Sequence, residues 1–567
     1  MGYGENYWLR RLDTGRLGRR RFVGGTAVAG VGAASLALVG CGKGSSNNSG
    51  NLAVDATATP AATAAATQVA KPGGTYISGA TGPIAGVDPH SSVYGGAAIV
   101  PVVYNYLLHE QVVMDAAVAR GITYDLAASH KREADNVTYT FNLRNNVKIQ
   151  PNKYGIAERP LDSDDVKASF DRMADPKSGA NANGFFTRWV DKYVTPDKQT
   201  VQVVMKKPYA WTEASLGDNQ FGAIVPKEWL ANANLKKDAV GASGFMVNQL
   251  TEGQAAQMDK NPNYYRTGRP YIDSWVIKYF ADQTTYRTAF QAGQLDIYAP
   301  VNHNESNQLK SADPTLIQYS DPSINFNSFW MNTTQKPWDD PRVRRAVNMA
   351  MNRQEYIDII GQGVGEAIGP MTYCFKQALS PADLTKAQPF DVNGAKALFQ
   401  QAGVTAFNFQ YPTSSNVVDY VNIFVRHMQA AGVTATAQPL DAGTWVAGWF
   451  QSKLSASLSL NQQYMTPDAA LGWWHTGSIH GNKTYDSGFS DPDVDAAIDK
   501  AASVLDEAGQ IQAYQDAQKL ILSKDPAMLN FFGQRAEIVV KPYVKNYVPA
   551  LGSLWYTTLP DLWLDKA

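Results

Sequence analysis

The side chains that could perform catalysis or bind a metal are few and scattered in this 567-residue sequence. The seven histidines include one close pair, His475 and His480, which are five residues apart and form a weak metal-ligand pattern. Cys374 stands alone, as is typical of a small buried apolar residue. Asp339 and Asp340 form a pair of carboxylates, but a helix N-cap explains them. The sequence therefore predicts no catalytic residue and no bound metal.

Motifs that mark catalytic or cofactor sites are also absent from the sequence. It contains no His-Glu-x-x-His zinc motif, no Gly-x-Ser-x-Gly nucleophile motif and no phosphate-binding loop. The Gly-rich segment 361–365 follows a predicted helix, whereas a dinucleotide-binding loop precedes one. We therefore expect a protein without a cofactor and without enzymatic activity. A surface lipoprotein hydrolase remains the alternative from an unrelated class.

A strand, a turn and two helices are predicted for the segment Asn325–Gly363. Its first seven residues alternate polar and aromatic side chains, which is typical of a strand. Asp340 is a favourable N-cap, and Pro341 occupies the first helical position, where its missing N–H is harmless. Apolar residues at positions 343, 346, 347 and 350 then form one stripe along a helix. Asn352 and Glu355 predict a capping box at the start of a second helix.

Length, composition and charge indicate a globular protein with more than one domain. A chain of 567 residues exceeds the size of one compact core. The formal net charge is −1 and 18% of the residues are charged, so the sequence does not indicate a nucleic-acid partner. The two cysteines, Cys41 and Cys374, are too few to build a disulfide framework.

Residues 1–40 have the features of an export signal. The basic segment Gly18–Val23 looks like a twin-arginine motif, although basic segments also direct proteins to the general export pathway. The apolar run 26–39 is too short to span a hydrocarbon core of about 30 Å. The string LVGC at 38–41 matches the bacterial lipobox, which implies cleavage before Cys41 and lipidation of its thiol. A plain secretory signal that happens to contain a cysteine is the alternative.

Residues 42–71 are rich in Gly, Ser, Asn, Thr and Ala and contain almost no large apolar side chain. Such a segment cannot bury enough surface to fold. We therefore expect a disordered tether between the lipidated Cys41 and the globular body. This order of segments predicts an extracytoplasmic protein anchored to the membrane, in the periplasm or at the cell surface.

The segment 332–353, NTTQKPWDDPRVRRAVNMAMNR, resembles the signature of the family 5 extracellular solute-binding proteins. These are the oligopeptide-, dipeptide- and nickel-binding components of bacterial ABC importers. Weaker motifs of the family follow one another in the same order over about 490 residues. They are D-P-H at 88–90, T-Y-T-F-N-L-R at 138–144, D-D-V at 164–166, K-K-P-Y at 206–209, N-P-N-Y at 261–264 and A-G-Q-L-D-I at 292–297.

The resemblance implies an α/β protein with the two-lobed, type II periplasmic-binding-protein-like fold. Mixed sheets with flanking helices, an enlarged first lobe and two hinge crossings are expected. The expected divisions are a signal peptide at 1–40, the lipidated cysteine and tether at 41–71, a first lobe at 72–330, a second lobe at 331–530 and a return to the first lobe at 531–567. A ligand is expected between the lobes, which close around it.

Two landmarks of the family locate the expected ligand-binding residues of the second lobe. The first, an Asp followed by a Trp, reads D-A-G-T-W at 441–445, so its first aromatic residue is missing. The second is an Asp before an aromatic residue and a Pro, which in oligopeptide binders pairs with the α-amino group of the peptide. In the register set by Pro467 this position holds Gln463, whose neutral amide cannot make a charge-assisted bond to an ammonium group.

The residues expected to contact the ligand are polar amides and aromatic rings. Asn461, Gln462 and Gln463 offer uncharged donors and acceptors. Trp473 and Trp474 offer flat apolar faces for stacking, although core packing explains this pair equally well. The candidate set is Tyr94, Phe329 and Trp330 from the first lobe and Trp445, Asn461, Gln462, Gln463, Tyr464, Trp473 and Trp474 from the second.

The missing carboxylate favours a ligand without a free amino terminus, so we expect a neutral oligosaccharide or another polar organic solute. An oligopeptide or dipeptide held by other contacts is the second alternative, and a nickel chelate is the third. The resemblance implies a monomeric receptor that delivers its ligand to the permease and ATPase subunits of an ABC importer.

Overall fold

A computed structural model describes residues 69–566, except for short segments at 82–85, 92–95, 112–120, 218–221, 252, 414–416, 463–465, 477–486 and 550–557. The chain divides into Met1–Ala70 and one compact unit, Lys71–Ala567. The predicted signal peptide, the lipobox with Cys41 and most of the predicted tether lie outside the described residues. Within the described residues, no helix is both long enough and apolar enough to cross a membrane.

The compact unit is a mixed α/β structure, which confirms the predicted fold class. Its strands are β1 Thr75–Thr81, β2 Leu108–Gln111, β3 Gly121–Tyr124, β4 Ala127–Arg132, β5 Thr138–Leu143, β6 Val190–Asp197, β7 Thr200–Met205, β8 Phe245–Thr251, β9 Ala255–Lys260, β10 Ser274–Phe280, β11 Ile297–Tyr298, β12 Ile317–Met331, β13 Ala406–Pro412, β14 Thr434–Leu440, β15 Ala456–Gln462, β16 Met528–Val540, β17 Val544–Lys545 and β18 Trp563–Leu564.

Helices flank these strands along the whole unit. They are α1 Gly96–Val103, α2 Ser163–Ala174, α3 Asn183–Trp189, α4 Thr212–Gly217, α5 Lys227–Leu230, α6 Gln283–Gln291, α7 His303–Ala312, α8 Pro341–Ala350, α9 Arg353–Ile359, α10 Pro381–Ala387, α11 Val392–Gln401, α12 Val418–Ala430, α13 Ala442–Phe450, α14 Pro467–Leu471, α15 Pro492–Ser503 and α16 Glu507–Ser523. A 3₁₀ helix, Gly472–Trp474, continues directly from α14.

The larger sheets are built from strands that lie far apart in the sequence. One four-stranded sheet has the order β1-β10-β9-β8 and the other has β4-β5-β7-β6. The six-stranded sheet has the order β11-β16-β12-β15-β13-β14. Parallel pairing joins β1 to β10 and joins β13 to both β14 and β15, whereas the other pairs are antiparallel. This mixture requires long connections, which the helices provide.

Two long antiparallel strands, β12 and β16, form the centre of the six-stranded sheet. They pair from Ile317 opposite Val540 to Trp330 opposite Met528. The sequence predicted two short strands, 528–532 and 536–540, where the structure has the single strand β16 of 13 residues. This prediction was wrong, because pairing with β12 carries the strand on through Gly533 and Arg535.

Local capping signals predicted some helix starts correctly and others incorrectly. The Asp340 side chain accepts a hydrogen bond from Arg342 N, with Pro341 in the first turn, as predicted. At helix α2 the N-cap is Asp162, and Asp165 completes a capping box by accepting a hydrogen bond from Asp162 N. At α9 the predicted capping box is absent, because Asn352 makes no side-chain cap.

Apolar side chains pack into two main clusters within the described residues. The larger extends from the β1 sheet to helices α14–α16, and includes Tyr76, Trp275, Leu471 and Ile498. The second packs helices α8 and α12 against β12, β13 and β16. Helices α14–α16 therefore bury their apolar residues against segments that precede them by more than 200 residues.

Candidate ligand-binding site

A cavity of about 380 Å³ lies where the β1 sheet meets the two long strands of the six-stranded sheet. Its walls include Ser78 and Gly79 on β1, Trp275 on β10 and Tyr286 on α6. Five consecutive residues of β12, 321–325, form another wall. The volume is in the range of pockets that bind small molecules.

An irregularity in β12 brings these residues to the cavity. Pro322 pairs with Arg535 and Phe326 pairs with Gly533, so three residues of β12 lie opposite the single residue 534 of β16. Extra residues cannot join the ladder and therefore bend the strand. Within the bend, Asn325 N donates to Ser323 Oγ at 3.0 Å, and the thiol of Cys374 contacts Ser323 O at 3.3 Å. These bonds hold the bulge in place.

The partner strand tolerates the bulge because of a glycine. A Cβ on Gly533 would lie 2.5 Å from the ring of Tyr373, which is closer than real contacts allow. Tyr373 in turn donates from its hydroxyl to Gln534 O at 2.9 Å. The close packing of Tyr373 on Gly533 therefore positions β16 behind the bulge.

The charged groups of this region are divided between the two faces of the sheet. Asp321 pairs with Ala536, and both line the cavity, whereas the neighbouring Ser320 and Glu537 pair with each other. Since successive side chains of a strand point to opposite faces, Glu537 lies on the side away from the cavity. There its Oε1 accepts from Ser320 Oγ at 2.5 Å and lies 3.1 Å from His303 Nδ1.

Asp321 is the acidic side chain of the cavity wall. Burial raises its pKa to about 6; the positive charge of Arg535 opposes this rise and the negative charge of Glu537 adds to it. Arg535 is engaged by Ser320, whose hydroxyl accepts from Nε at 2.9 Å. Within the described part of the chain, the Asp321 carboxylate has neither a hydrogen bond nor an ion pair. Sequence reasoning missed this residue, although a proline inside a strand, Pro322, is a signal for a bulge.

Most of the aromatic residues predicted to contact a ligand lie in packed clusters. Phe329 is fully buried and stacks on Phe424 at a centroid distance of 4.2 Å. Trp330 and Trp445 are 1% and 3% exposed and pack in a cluster with Trp449. Trp445 Nε1 donates to Ser457 Oγ at 2.8 Å. None of these side chains lines the cavity described above.

The two adjacent tryptophans separate into different surroundings. Trp473 is partly buried and lies parallel to Trp449, with centroids 6.2 Å apart. Trp474 is 2% exposed and belongs to the large core. Trp473 is therefore the more accessible member of this pair, and its role as a ligand contact remains a prediction.

The predicted amide string approaches the cavity through its backbone. Asn461 and Gln462 lie at the end of β15, where Gln462 is opposite Asn325 and Asn461 is opposite Phe326. Asn325 lines the cavity, so the end of β15 pairs with a residue of the cavity wall. Three other predicted ligand contacts, Tyr94, Gln463 and Tyr464, lie outside the described residues, as does the predicted lipidation site Cys41. Those assignments remain predictions.

The structure describes one histidine of the weak metal-ligand pattern and the lone cysteine. His475 lies beside acidic groups, with its Nε2 3.4 Å from Asp499 Oδ1, while His480 lies outside the described residues. Cys374 is fully buried as predicted, and burial raises the pKa of its thiol to about 12. Among the residues that the structure describes, no group of His, Cys, Asp and Glu could hold a metal ion.

A second cavity, of about 320 Å³, contains charged groups that already pair with one another. Arg266 Nη2 lies 2.8 Å from Asp561 Oδ2. Asp125 accepts from Asn105 Nδ2 at 2.9 Å and from Tyr106 N at 2.8 Å. The carboxylates of this cavity are therefore already engaged, unlike that of Asp321 in the first cavity.

Comparison with known proteins gives consistent matches. Residues 121–482 match the family described as bacterial extracellular solute-binding proteins, family 5 Middle. The chain is 27% identical over 433 residues to the di/tripeptide-binding protein 2 of Pseudomonas aeruginosa, covering 71% of this chain and 79% of that protein. It is 24% identical over 464 residues to the glutathione-binding protein GsiB of Salmonella paratyphi A, covering 77% and 83%.

Solved structures resemble the whole compact unit. The periplasmic binding protein DppA of Helicobacter pylori, in complex with the peptide STSA, superposes with a TM-score of 0.77 at 20% identity, covering 88% of this chain and 99% of that one. The binding protein AgaA from A. tumefaciens R10, in complex with agropinic acid, gives 0.76 at 22% identity, covering 87% and 99%. These matches show that the chain has the type II periplasmic-binding-protein fold.

Proposed function

This chain belongs to the family 5 bacterial extracellular solute-binding proteins, the binding components of ABC importers, and we propose that its ligand is a short peptide or a peptide-like solute. The observation that carries the proposal is the match of 362 residues, 121–482, to this family, together with a cavity of about 380 Å³ at the bend of β12. From the sequence, peptide binding was the expectation next after a neutral solute.

The relatives argue for this alternative against the neutral oligosaccharide that was expected first. The curated relatives cited are named for di- and tripeptides and for glutathione, and the cited structures hold a peptide and agropinic acid. A neutral oligosaccharide is not supported. The inference from Gln463 alone was too narrow, because the loss of one carboxylate does not exclude recognition of an amine by another.

We propose that the ligand is enclosed by two lobes with the predicted boundaries 72–330, 331–530 and 531–567. The antiparallel strands β12 and β16 would carry the two crossings, since both pass the predicted boundaries near 331 and 530. All residues that line the larger cavity lie on the first-lobe side of those boundaries. The bulge at 323–325 would be the flexible point, because these residues have no pairing partner on β16.

Polar contacts join the predicted lobes in this structure, beside the apolar core that helices α14–α16 share with the first lobe. Trp211 Nε1 donates to Tyr514 Oη at 2.9 Å, and Ala210 N donates to Ala502 O at 2.9 Å. The guanidinium of Arg188 lies 2.5 Å from Asp499. A ligand that favours this arrangement over an open one would shift the equilibrium between them.

The family is extracytoplasmic, which agrees with the export signal predicted at residues 1–40. We further propose that the protein is attached to the membrane through a lipid on Cys41 and acts as a monomer. It would pass its ligand to the permease and ATPase subunits of an importer without turnover, because the sequence contains no catalytic motif.

Mass spectrometry of small molecules released from natively purified protein tests the ligand class. Short peptides or amino-acid conjugates are expected, and the same compounds added back should raise the melting temperature. A ligand at 100 times its dissociation constant adds about 2.7 kcal/mol of stability. Release of a saccharide that alone stabilises the protein would refute the proposal. Hydrolysis of a bound compound by the purified protein would show that it is an enzyme.

A further inference from the structure

The carboxylate of Asp321 faces the cavity at the bend of β12 without a partner of its own. Asp321 lines the cavity beside Pro322 and opposite Ala536, its pairing partner on β16. The described residues supply no hydrogen bond and no ion pair to its oxygens. A partly buried carboxylate in this condition is unfavourable unless something supplies hydrogen bonds or a positive charge.

The nearest charged groups cannot supply this partner, because they are engaged on the other face of the sheet. Arg535 Nε donates to Ser320 Oγ at 2.9 Å, and its Nη2 donates to Ser320 O. Glu537 accepts from the same hydroxyl and carries a further negative charge. The positive charge of Arg535 and the smaller opposing effect of Glu537 act on Asp321 only at a distance, so neither supplies a hydrogen bond to its carboxylate.

The remaining walls suit an amine attached to a partly apolar ligand. Trp275, Tyr286 and Ile277 give aromatic and aliphatic surface, and Ser78 lies beside them on β1. Gly79 leaves room for the Tyr286 ring, since a Cβ there would lie 2.3 Å from it. The cavity thus combines one unpaired anion with aromatic rings, a combination that recognises ammonium groups.

We infer that Asp321 binds the ammonium group of the ligand, such as the free amino terminus of a short peptide. This inference rests on the proposed function and names the charged group that the receptor recognises. Asp321 would bind the ammonium group from the first predicted lobe. Gln463, at the position where oligopeptide binders have a carboxylate on the second lobe, cannot form this ion pair. The ammonium group would donate hydrogen bonds to the carboxylate of Asp321, and its positive charge would neutralise the negative charge of that carboxylate.

Binding should then depend on pH through this carboxylate. The pKa of Asp321 is raised to about 6 in the absence of a ligand, so roughly 90% of the group is protonated at pH 5. The other ionisable groups around it are Tyr76, Tyr286, Tyr373, Tyr547, Arg535 and Glu537, with His303 beyond Glu537. The affinity for a free amine should fall about tenfold from pH 7.5 to pH 5, and this fall should disappear in Asp321→Asn.

The test compares free and acetylated peptides by calorimetry with the purified protein. The probes are defined dipeptides and tripeptides, each with a free amino terminus and as its N-acetyl form. Wild-type protein should bind the free forms at least tenfold more tightly, and D321N should lose this preference. The control is Asp419→Asn, the same substitution at an exposed carboxylate in the first turn of α12. It should leave both affinities unchanged.

The outcomes separate this inference from the proposed function. Equal binding of free and acetylated peptides by the wild-type protein, or an unchanged preference in D321N, would overturn the role of Asp321 while leaving a peptide receptor. Binding of no peptide in either form would overturn the proposed function and the inference together. The comparison within the wild-type protein needs no variant, so it decides the question even where D321N fails to fold.

Discussion

Replacing Arg188 with Met should strongly destabilise the protein, because this side chain joins two distant segments through buried charges. Arg188 is 13% exposed, and its Nη2 lies 2.5 Å from Asp499 Oδ1 and 3.5 Å from Asp468 Oδ1. Asp468 is fully buried and, within the described residues, its side chain otherwise accepts only from Tyr209 Oη, at 3.0 Å. Burial raises the pKa of Asp499, but hydrogen bonds from His475 and Arg188 outweigh it and hold this pKa well below its usual range.

The magnitude follows from the distances and the burial. Two unit charges 3.5 Å apart attract by about 5 kcal/mol at an effective dielectric constant of about 20. The Met variant loses this attraction at Asp468 and leaves a buried carboxylate with one hydroxyl as its donor. Removing one member of a buried pair typically costs about 3–5 kcal/mol. We therefore expect the free energy of unfolding to fall by about 4 kcal/mol.

Lys207→Met is the matched control for this experiment. Lys207 Nζ lies 3.3 Å from the other oxygen of Asp499, and both cations lie over the ring of Trp189. The side chain of Lys207 is 42% exposed, so water screens its ion pair. Such an exposed pair is worth about 0–1 kcal/mol. The two variants therefore remove one positive charge from the same cluster at different depths.

Urea unfolding at pH 7.5, followed by circular dichroism and tryptophan fluorescence, measures both effects. The midpoint for Arg188→Met should be far lower than for wild type, while Lys207→Met should change it little. Equal, small changes in both variants would refute the reasoning, because they would mean that the buried contact to Asp468 adds nothing. A large decrease of the midpoint in both variants would show that the stabilisation comes from the ion pairs of Asp499 and not from the buried contact to Asp468.

Three further predictions concern the cavity and its surroundings. Asp321→Asn should raise the free energy of unfolding at pH 7.5 by about 1–3 kcal/mol. In the wild type, the pKa of Asp321 is raised from 3.8 to about 6 in the folded state, so the wild type loses stability as the pH rises through this window. The gain in urea midpoint of the variant over the wild type should therefore be larger at pH 7.5 than at pH 4, and equal gains at both would contradict the raised pKa. Cys374 should not react with a thiol reagent in the folded protein at pH 8 and should react once it is unfolded in urea, since it is buried and its pKa is raised to about 12; rapid labelling of folded protein would show that this region opens. Trp445→Phe should lower the free energy of unfolding by about 2 kcal/mol through the lost bond to Ser457 Oγ and the lost ring packing. Its affinity for peptides, measured by calorimetry, should stay within about threefold of wild type. A large loss of affinity with normal stability would show that this tryptophan contacts the ligand.

Local signals in the sequence predicted the parts of the fold that depend on near neighbours. The Asp340 cap and its following Pro341 are confirmed, because the bonds they need lie within one helical turn. The capping box at α9 shows the limit of such signals. Glu355 was expected to bond back to Asn352, but its carboxylate instead accepts from His427 at 2.6 Å and from Arg426, which lie 72 and 71 residues away. Charged partners from another helix outcompete a backbone N–H.

The ligand site was only partly accessible to sequence reasoning. The family motifs predicted a binding protein of this class and directed attention to the amides at the end of β15, which pairs with the cavity-lining Asn325. They also directed attention to Trp330, Trp445 and Trp474, which the structure buries. Aromatic residues serve equally well in a core and against a ligand, so their type alone does not distinguish the two roles.

The sequence by itself determined the family, the mixed α/β class and some helix starts, such as that at Asp340, because motifs, periodicity and caps act over short distances. Only the tertiary structure decided that Asp321 faces a cavity while Glu537 and Arg535 face away. That choice depends on the register between β12 and β16, which are about 200 residues apart, and on the bulge opposite Gly533. A shift of one residue in this register would reverse every side chain of the strand, and no local pattern specifies it.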